Sequence, residues 1–227
     1  MSISPREIQE VEATILLDIG EVYFNLGEKQ QALDYSLQAL ALSQTIGDLR
    51  GEAEALNAIG LIYGEEQQAI NYYQQALTLS QALNDSYGEA AALHNIGNVY
   101  NALGEKQKAL EYYQQALPVS KAVNNRVREA TILDDIGLIY DELGEKQKAL
   151  EYYEQVLVLV QSAGYQYGEA AMLNKIGQVY SDLGEKQQAL NFFQQALPLF
   201  RVVGDQDGEA ETLKNISEVS LDLESEQ

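Results

Sequence analysis

The sequence repeats itself with a period of 40 residues, which shortens to 37 at one step. The clearest copy, LHNIGNVYNALGEKQKALEYYQQAL, returns with small changes along the chain. The copies begin at Leu16, Leu56, Leu93, Leu133, Leu173 and, as a half copy, Leu213. A period of about 20 to 50 residues with helical patterning is typical of stacked arrays, in which each unit buries its apolar face against its neighbours. The chain is therefore expected to stack repeats instead of building one central core around a single active site.

Apolar and small residues fall into two sets within each copy. In the third copy the sets are Leu93, Ile96, Gly97 and Tyr100, followed by Ala109, Tyr113, Ala116 and Leu117. Spacings of three and four place each set on one face of a helix. The Leu-Gly-Glu between the sets ends one helix and starts the next, because Gly104 can adopt the left-handed conformation. Each repeat therefore predicts two antiparallel helices, which we call helix A and helix B.

These positions resemble those of the tetratricopeptide repeat family. That family carries Leu, Gly and Tyr on helix A, and Ala, an aromatic residue and Ala on helix B. The third and fifth copies match this pattern throughout. In the fourth copy Val156 replaces the last Ala. The repeat is longer than the family's usual length of about 34 residues, and in this it is similar to the repeats of kinesin light chains and related bacterial arrays. The resemblance implies an all-α, right-handed superhelical solenoid of antiparallel helix pairs.

We expect a single solenoid domain over residues 1–227, with five repeats and a C-terminal capping helix. The predicted repeats are 5–46, 49–83, 86–123, 126–163 and 166–203, and the capping helix is 206–223. Ser217 and Ser220 stand where other helix A segments have Gly and Tyr, so no further helix B is expected after them.

Three local departures from the repeat, and the linkers between repeats, carry further predictions. Three residues are missing before Gly64, so helix A of the second repeat should end about one turn early. Pro118 and Pro198 lie within helix B and predict a bend in each helix. Ser36 replaces the usual aromatic residue of helix B, which predicts looser packing in the first repeat. Gly or Asn at the linkers should end each helix B, and the Asp or Asn that follows in most repeats should cap the next helix.

The charge balance excludes several classes of partner. A net charge of -21 opposes binding to nucleic acid, which relies on Lys and Arg to neutralise phosphates, and it disfavours anionic membranes. The amino-terminal residues lack the apolar core of a signal peptide, and no run approaches the roughly 20 apolar residues of a membrane span. We therefore expect a cytoplasmic protein.

Residues that could support catalysis are sparse. His94 is the only histidine, there is no cysteine, and neither a glycine-rich phosphate loop nor a Ser/His/Asp set is present. We therefore expect no enzyme activity, no cofactor and no metal. The adjacent aromatic residues of helix B, such as Tyr112 and Tyr113, could stack on bases, but their helical spacing and the acidic charge favour a packing role.

The resemblance implies that helix A lines a concave groove. Residues three before, one after and four after the repeat Gly then share one side of it. The candidate peptide-binding residues are Asn57, Leu61, His94, Asn98, Asn101, Asp134, Leu138, Asp141, Asn174, Gln178 and Lys214. They differ in every repeat while the packing positions stay nearly constant, which favours specific recognition, although drift of an exposed surface produces the same pattern.

The predicted function is a monomeric, non-enzymatic module that binds a neutral or basic peptide or partner segment in this groove. Acidic side chains outnumber basic ones there, and Lys146 and Lys186 are expected to lie away from it at the start of helix B. Asn98 and Asn174 are expected to lie outside the packing set. The alternative is a scaffold that self-associates through its ends or convex face. Exposed leucines in the groove favour the first function, and an uncovered end favours the second.

Overall fold

The structure, a computed structural model, describes residues 4–225. Helices occupy most of this range, which contains no β-strand. The helices are α1 (Pro5–Asn25), α2 (Lys29–Ile46), α3 (Leu49–Tyr63), α4 (Gln67–Ala82), α5 (Ser86–Ala102), α6 (Lys106–Ala122), α7 (Arg126–Glu142), α8 (Lys146–Ser162), α9 (Gln166–Asp182), α10 (Lys186–Val203) and α11 (Gln206–Ser225). The predicted all-α architecture of antiparallel helix pairs is confirmed.

The chain divides between Asn125 and Arg126 into two compact units. Unit 1 contains α1 to α6 and unit 2 contains α7 to α11. In each unit a helix packs mainly against its neighbours in the chain, as expected for stacked repeats. The A helices are α1, α3 and α5 in unit 1, and α7, α9 and α11 in unit 2. The single-domain organisation stays a prediction.

Each repeat contains one stacked pair of aromatic rings that joins its A helix to its B helix. The ring centroids lie 5.3–5.6 Å apart and the rings are nearly parallel. The pairs are Tyr23–Tyr35, Tyr63–Tyr72, Tyr100–Tyr112, Tyr140–Tyr152 and Tyr180–Phe192. Offset or edge-on aromatic pairs contribute about 0.5–1.5 kcal/mol beyond the area that they bury.

The second aromatic residue of the B helix lies directly over a glycine in the second to fifth repeats. Tyr113 is fully buried, and a Cβ atom added to Gly97 would come within 2.5 Å of its ring. Tyr73 over Gly60, and Phe193 over Gly177, repeat this contact. The glycine is required because any side chain would hold the two helices apart. Both aromatic residues of each pair therefore have packing roles, which removes the base-stacking interpretation.

The linkers between repeats follow the predicted rule. Asn84 ends α4 with φ 54°, in the left-handed region that Asn tolerates. The Asp85 carboxylate then accepts a hydrogen bond from the backbone N–H of Tyr87, at 3.2 Å. Tyr165, the exception to the rule, begins α9 without a side-chain cap.

The second repeat has a shortened helix A, as predicted, but the helix ends about half a turn early instead of a full turn. Helix α3 has 15 residues and ends at Tyr63, whereas α5 has 17. Gly64 closes α3 with φ 65° and ψ -118°, a conformation that is open to glycine and costly for other residues. The deletion is therefore absorbed in the loop that follows helix A.

Both internal prolines are accommodated without breaking their helices. Pro118 lies within α6 and Pro198 within α10, and each helix continues beyond its proline. Both prolines are on exposed positions. The carbonyl group of Gln114, which Pro118 leaves without a helical donor, can therefore bond to water. The bend at each proline stays a prediction.

Helix α11 covers the outer side of α10, as predicted for a cap. Val219 of α11 is 4 % exposed and packs with Ala189 and Phe193 of α10. Ser217 is exposed, in keeping with the absence of a helix B beyond it. Across residues 4–225, no helix combines the length and apolar character needed to cross a membrane.

The first prediction concerns this cap. Val219→Ala should destabilise repeat five by roughly 1.5–3 kcal/mol, because it removes buried methyl groups and leaves a cavity. Since stacked repeats lose contacts locally first, hydrogen exchange should accelerate in α10 and α11 before it does in α7. Leu221→Ala, at a position that is 63 % exposed on the same helix, is the matched control. Unchanged protection of α10 in Val219→Ala would show that α11 is not a cap.

Candidate binding surface

The exposed side of the A helices carries the predicted groove residues, and we call it the A face of each unit. In unit 1, Leu61 is 49 % exposed and Asn98 is also exposed, while Asn57 and Asn101 are half-buried. His94 is different, because only 6 % of it is exposed and its ring lies 5.6 Å from that of Tyr113. The structure therefore places His94 among the packing residues.

Asn98 is tied to the ring that packs beneath it. The hydroxyl of Tyr113 donates to the Oδ1 atom of Asn98 at 2.6 Å. This bond orients the side chain and occupies its oxygen, so the amide N–H groups are the part of Asn98 that can bind a peptide carbonyl. The Oδ1 atom of Asn57 is buried without a hydrogen bond among the described residues.

In unit 2, Asn174 belongs to the contact between α9 and the cap. It is 9 % exposed, and its Oδ1 atom accepts hydrogen bonds from the hydroxyl of Thr212 at 3.2 Å and from the amide of Asn215 at 3.5 Å. Its own amide donates to Glu211 at 3.5 Å. The expectation that Asn174 lies outside the packing set is wrong, because α11 places buried polar residues opposite it.

The other unit 2 candidates divide into exposed and paired residues. Leu138 is 37 % exposed, and Gln178 is exposed and donates to Asp182 at 3.1 Å. Lys214 is exposed and lies 3.7 Å from Glu218, one turn along α11. An ion pair this exposed contributes little to stability, so Lys214 is available to a ligand.

Lysines neutralise much of the acidic A face of unit 2. The ammonium group of Lys146 lies 2.7 Å from Asp141 and 2.6 Å from Asp182, so it bridges α7, α8 and α9. Burial alone would raise the pKa of Asp182, but hydrogen bonds from Lys146 and Gln178 hold it below its ordinary value. The expectation that Lys146 lies away from the groove is therefore wrong, since its long side chain reaches Asp141 at the groove edge.

A second lysine is paired on the same face. Lys175 of α9 lies 2.6 Å from Asp134 of α7, and its ammonium group stands 5.6 Å from the centroid of the Tyr153 ring. Burial raises the pKa of the Tyr153 hydroxyl, with Asp141 and Asp134 adding to the effect, so it stays protonated. Asp134 and Asp141, both predicted groove residues, are thus already paired.

Three acidic side chains on the A face of unit 1 are unpaired among the described residues. Asp18 and Glu21 of α1, and Glu54 of α3, make no ion pair within the described part of the chain. Partial burial raises the pKa of Glu54 despite the opposing field of Arg50. The acidic wall that the composition predicts is therefore confined, in its unpaired form, to unit 1.

A cavity lies on the A face of unit 1 between α1 and α3. Its volume is about 270 Å³, and we call it the Ser36 cavity. It is lined by Leu17, Asp18, Gly20, Glu21, Phe24, Asn25, Ser36, Glu54, Ala58, Leu61 and Ile62. Ser36 itself is 1 % exposed although it lines this cavity. The looser packing of the first repeat stays a prediction.

Sequence reasoning missed this cavity although its signal was present. Ser36 occupies the position that holds Tyr73, Tyr113, Tyr153 or Phe193 in the other repeats. The glycine that those rings require is kept at Gly20, but its nearest contacts are Ser36 and the α2 backbone instead of a ring. Within residues 4–225 no cluster of acidic and histidine side chains is arranged to hold a metal ion.

Known structures share this arrangement of helices. A signal transduction ATPase with numerous domains from Pyrococcus horikoshii, which has a tetratricopeptide repeat sensor, superposes with a TM-score of 0.80 at 18 % identity; the match covers 94 % of this chain and 34 % of that protein. A Rap protein complexed with competence and sporulation factor has a TM-score of 0.66 at 17 % identity, covering 100 % and 67 %. A putative kinesin light chain from Podosopora anserina, with nearly identical repeats, superposes with a TM-score of 0.69 at 17 % identity. The match covers 85 % of this chain and 96 % of that protein.

Identities this low establish the fold alone. Among proteins of curated function, no sequence matches this chain significantly. The sequence profiles of tetratricopeptide repeats match residues 11–82, 64–122, 88–162 and 170–203, which is most of the chain. Together with the glycine-and-ring contact in four of its repeats, this match shows that the chain belongs to the tetratricopeptide repeat family.

Proposed function

We propose that this protein is a non-enzymatic interaction module that binds an extended peptide or partner segment on its A faces. The observation that carries the proposal is that unit 1 exposes Leu61 and Asn98 beside carboxylates that have no ionic partner. Amides can bond to a peptide backbone whatever its side chains are. Unpaired carboxylates favour a segment with neutral or basic side chains and accelerate its association.

The fold neighbours support this class of function. One of them is a sensor of the tetratricopeptide repeat type, and another was solved with competence and sporulation factor bound. Helical repeats present extended surfaces without a catalytic centre, which suits recognition of a segment of chain. A cytoplasmic location remains a proposal drawn from the sequence.

The second prediction tests the A face of unit 1. Peptides should be selected from a random displayed library, and their affinity should be measured by fluorescence anisotropy. Asn98→Ala with Asn101→Ala should weaken binding of the selected peptides roughly 5- to 150-fold, because two hydrogen bonds are lost at about 0.5–1.5 kcal/mol each. The melting temperature should be recorded in parallel, because Asn98 also accepts from Tyr113.

A matched control is Gln115→Ala, which removes an exposed amide from the B helix of the same repeat. It should leave the affinity unchanged. If the folded Asn98 and Asn101 variant binds normally while Gln115→Ala does not, the ligand uses the B helices. If the library yields no peptide that binds, the proposed function is wrong.

A second candidate, self-association, is favoured by the outer side of α1. Ile8, Val11, Ile15 and Val22 form an apolar stripe along this helix, and each is 51–58 % exposed. In α3 and α5 the residues equivalent to Ile15 are fully buried alanines, since the preceding B helix covers them. The outer side of α1 is therefore uncovered in the structure.

The third prediction separates the two candidates. The net charge of -21 should keep the protein monomeric at low ionic strength, and added salt should promote association through the α1 stripe. Light scattering should be recorded as the Debye length falls from about 30 Å to about 3 Å. Ile15→Gln should suppress any association that appears, because it interrupts the stripe without changing the charge.

Val158→Gln, at a position that is 65 % exposed on α8, serves as the matched control and should have no effect. A dimer that forms equally at every salt concentration would contradict the monomer prediction. It would favour the scaffold function over the peptide-binding module.

A further inference from the structure

We propose that the Ser36 cavity binds an aromatic side chain of the partner peptide, with a Lys or Arg next to it in the peptide sequence. This inference rests on the proposed function, because the cavity opens on the A face of unit 1. Exposed residues at its mouth, including Phe24 and Leu61, make it accessible from solvent.

The shape of the cavity is set by a contact that the chain makes elsewhere. In the next repeat, a Cβ atom on Gly60 would lie 2.5 Å from the ring of Tyr73. The same Cβ on Gly20 would meet the hydroxyl oxygen of Ser36 at 3.1 Å and a backbone oxygen at 3.3 Å, and no ring. The ring that lies over the glycine in the next repeat is therefore absent from the first repeat, where Ser36 lines the cavity instead.

The equivalent position one repeat later provides an internal comparison. A hollow of about 200 Å³ lies between α3 and α5, and its lining includes the ring of Tyr73. There Asn95 and Asn98 stand in the places that Ala58 and Leu61 hold in the Ser36 cavity. The Ser36 cavity is therefore larger, and it has Ala58 and Leu61 where the other hollow has two amides.

The lining of the cavity suits a ring better than a polar group. The apolar part of the lining comes from Leu17 and Phe24 of α1 and from Leu61 and Ile62 of α3. An aromatic side chain buries about 150–250 Å² and gains from contact with another ring, which Phe24 can provide. Pockets of this volume, with apolar walls and a few polar groups, are typical of anchor sites for one side chain.

The charges at the rim select the neighbour of that ring. Asp18, Glu21 and Glu54 line the same cavity and have no ion pair in the described part of the chain. Partial burial also raises the pKa of Glu54, in keeping with a carboxylate that has lost some of its water. A Lys or Arg next to the ring in the peptide would give these carboxylates an ion-pair partner.

Room for that neighbour is present. A second hollow of about 410 Å³ shares Leu17 and Glu54 with the Ser36 cavity. Glu7, Glu10 and Asp48 line it together with one cation, Arg50, so its charge is still predominantly acidic. The two hollows form one acidic trough beside α1, with an apolar recess at one end.

The fourth prediction uses a defined peptide on the intact protein. The fluorescently labelled peptide Ser-Arg-Phe-Arg-Ser should bind, and it should perturb the amide NMR signals of Gly20, Ser36 and Leu61. Replacing its Phe by Ala should weaken binding at least about tenfold, as expected for a buried ring. Replacing both Arg by Glu should also weaken binding, and the loss of affinity should be larger at low salt than at high salt, because the rim of the cavity is acidic.

Ser36→Phe fills the cavity with the ring that other repeats carry. It should raise the melting temperature, because the ring fits over Gly20, and it should reduce peptide affinity at least about tenfold. Ser36→Ala keeps the cavity and should bind like the natural protein. Leu61→Asn copies Asn98 at an exposed position and should weaken binding without relying on the fit of a new ring.

Two results would overturn the inference. One is equal binding of Ser-Arg-Phe-Arg-Ser by the natural protein, by Ser36→Phe and by Leu61→Asn. The other is no binding of this peptide while library peptides bind the A face of unit 1 and respond to Asn98→Ala with Asn101→Ala. The second result rejects the Ser36 cavity as an anchor site and leaves the proposed function standing, so the two failures are distinguishable.

Discussion

The contact between a helix A glycine and a helix B ring holds each typical repeat together. Tyr113 over Gly97 is representative: the ring is fully buried and the helices approach too closely for any side chain at the glycine. A second ring pair, such as Tyr100 with Tyr112, joins the same two helices at 5.5 Å. Because these rings pack between the helices, the residues that can contact a ligand are expected on the exposed side of the A helices.

Where this contact lacks its ring, in the first repeat, the structure has a cavity that a ligand could enter. Ser36 replaces the ring that other repeats place over their glycine, and it lines a cavity between α1 and α3. A cavity of this kind costs stability, because its lining lacks contacts that neighbouring repeats make. An aromatic side chain of a partner would restore those contacts, which makes Ser36 a specificity residue in this proposal and not a defect of an end repeat.

Electrostatics distinguishes the two units more than composition suggests. The protein is strongly acidic throughout, yet Lys146 and Lys175 pair with Asp134, Asp141 and Asp182 in unit 2. The pairs are partly exposed, so each contributes at most about 1 kcal/mol to stability. Their larger effect is to leave the unpaired carboxylates of unit 1 as the attractive surface for a basic segment.

The sequence alone determined the repeat, the helix pairs and the family, because these depend on periodic residues whose spacing is preserved in every copy. Local signals also sufficed for the early end of α3 at Tyr63 and for the capping helix, since each is decided within a few residues. Only the tertiary structure decided which surface residues are free. Asn174 and His94 have groove spacing, but the cap and the Tyr113 ring bury them; Lys146 reaches a face that its helix position did not indicate. These outcomes depend on contacts between residues far apart in the sequence, and so does the cavity beside Ser36, whose lining comes from α1, α2 and α3.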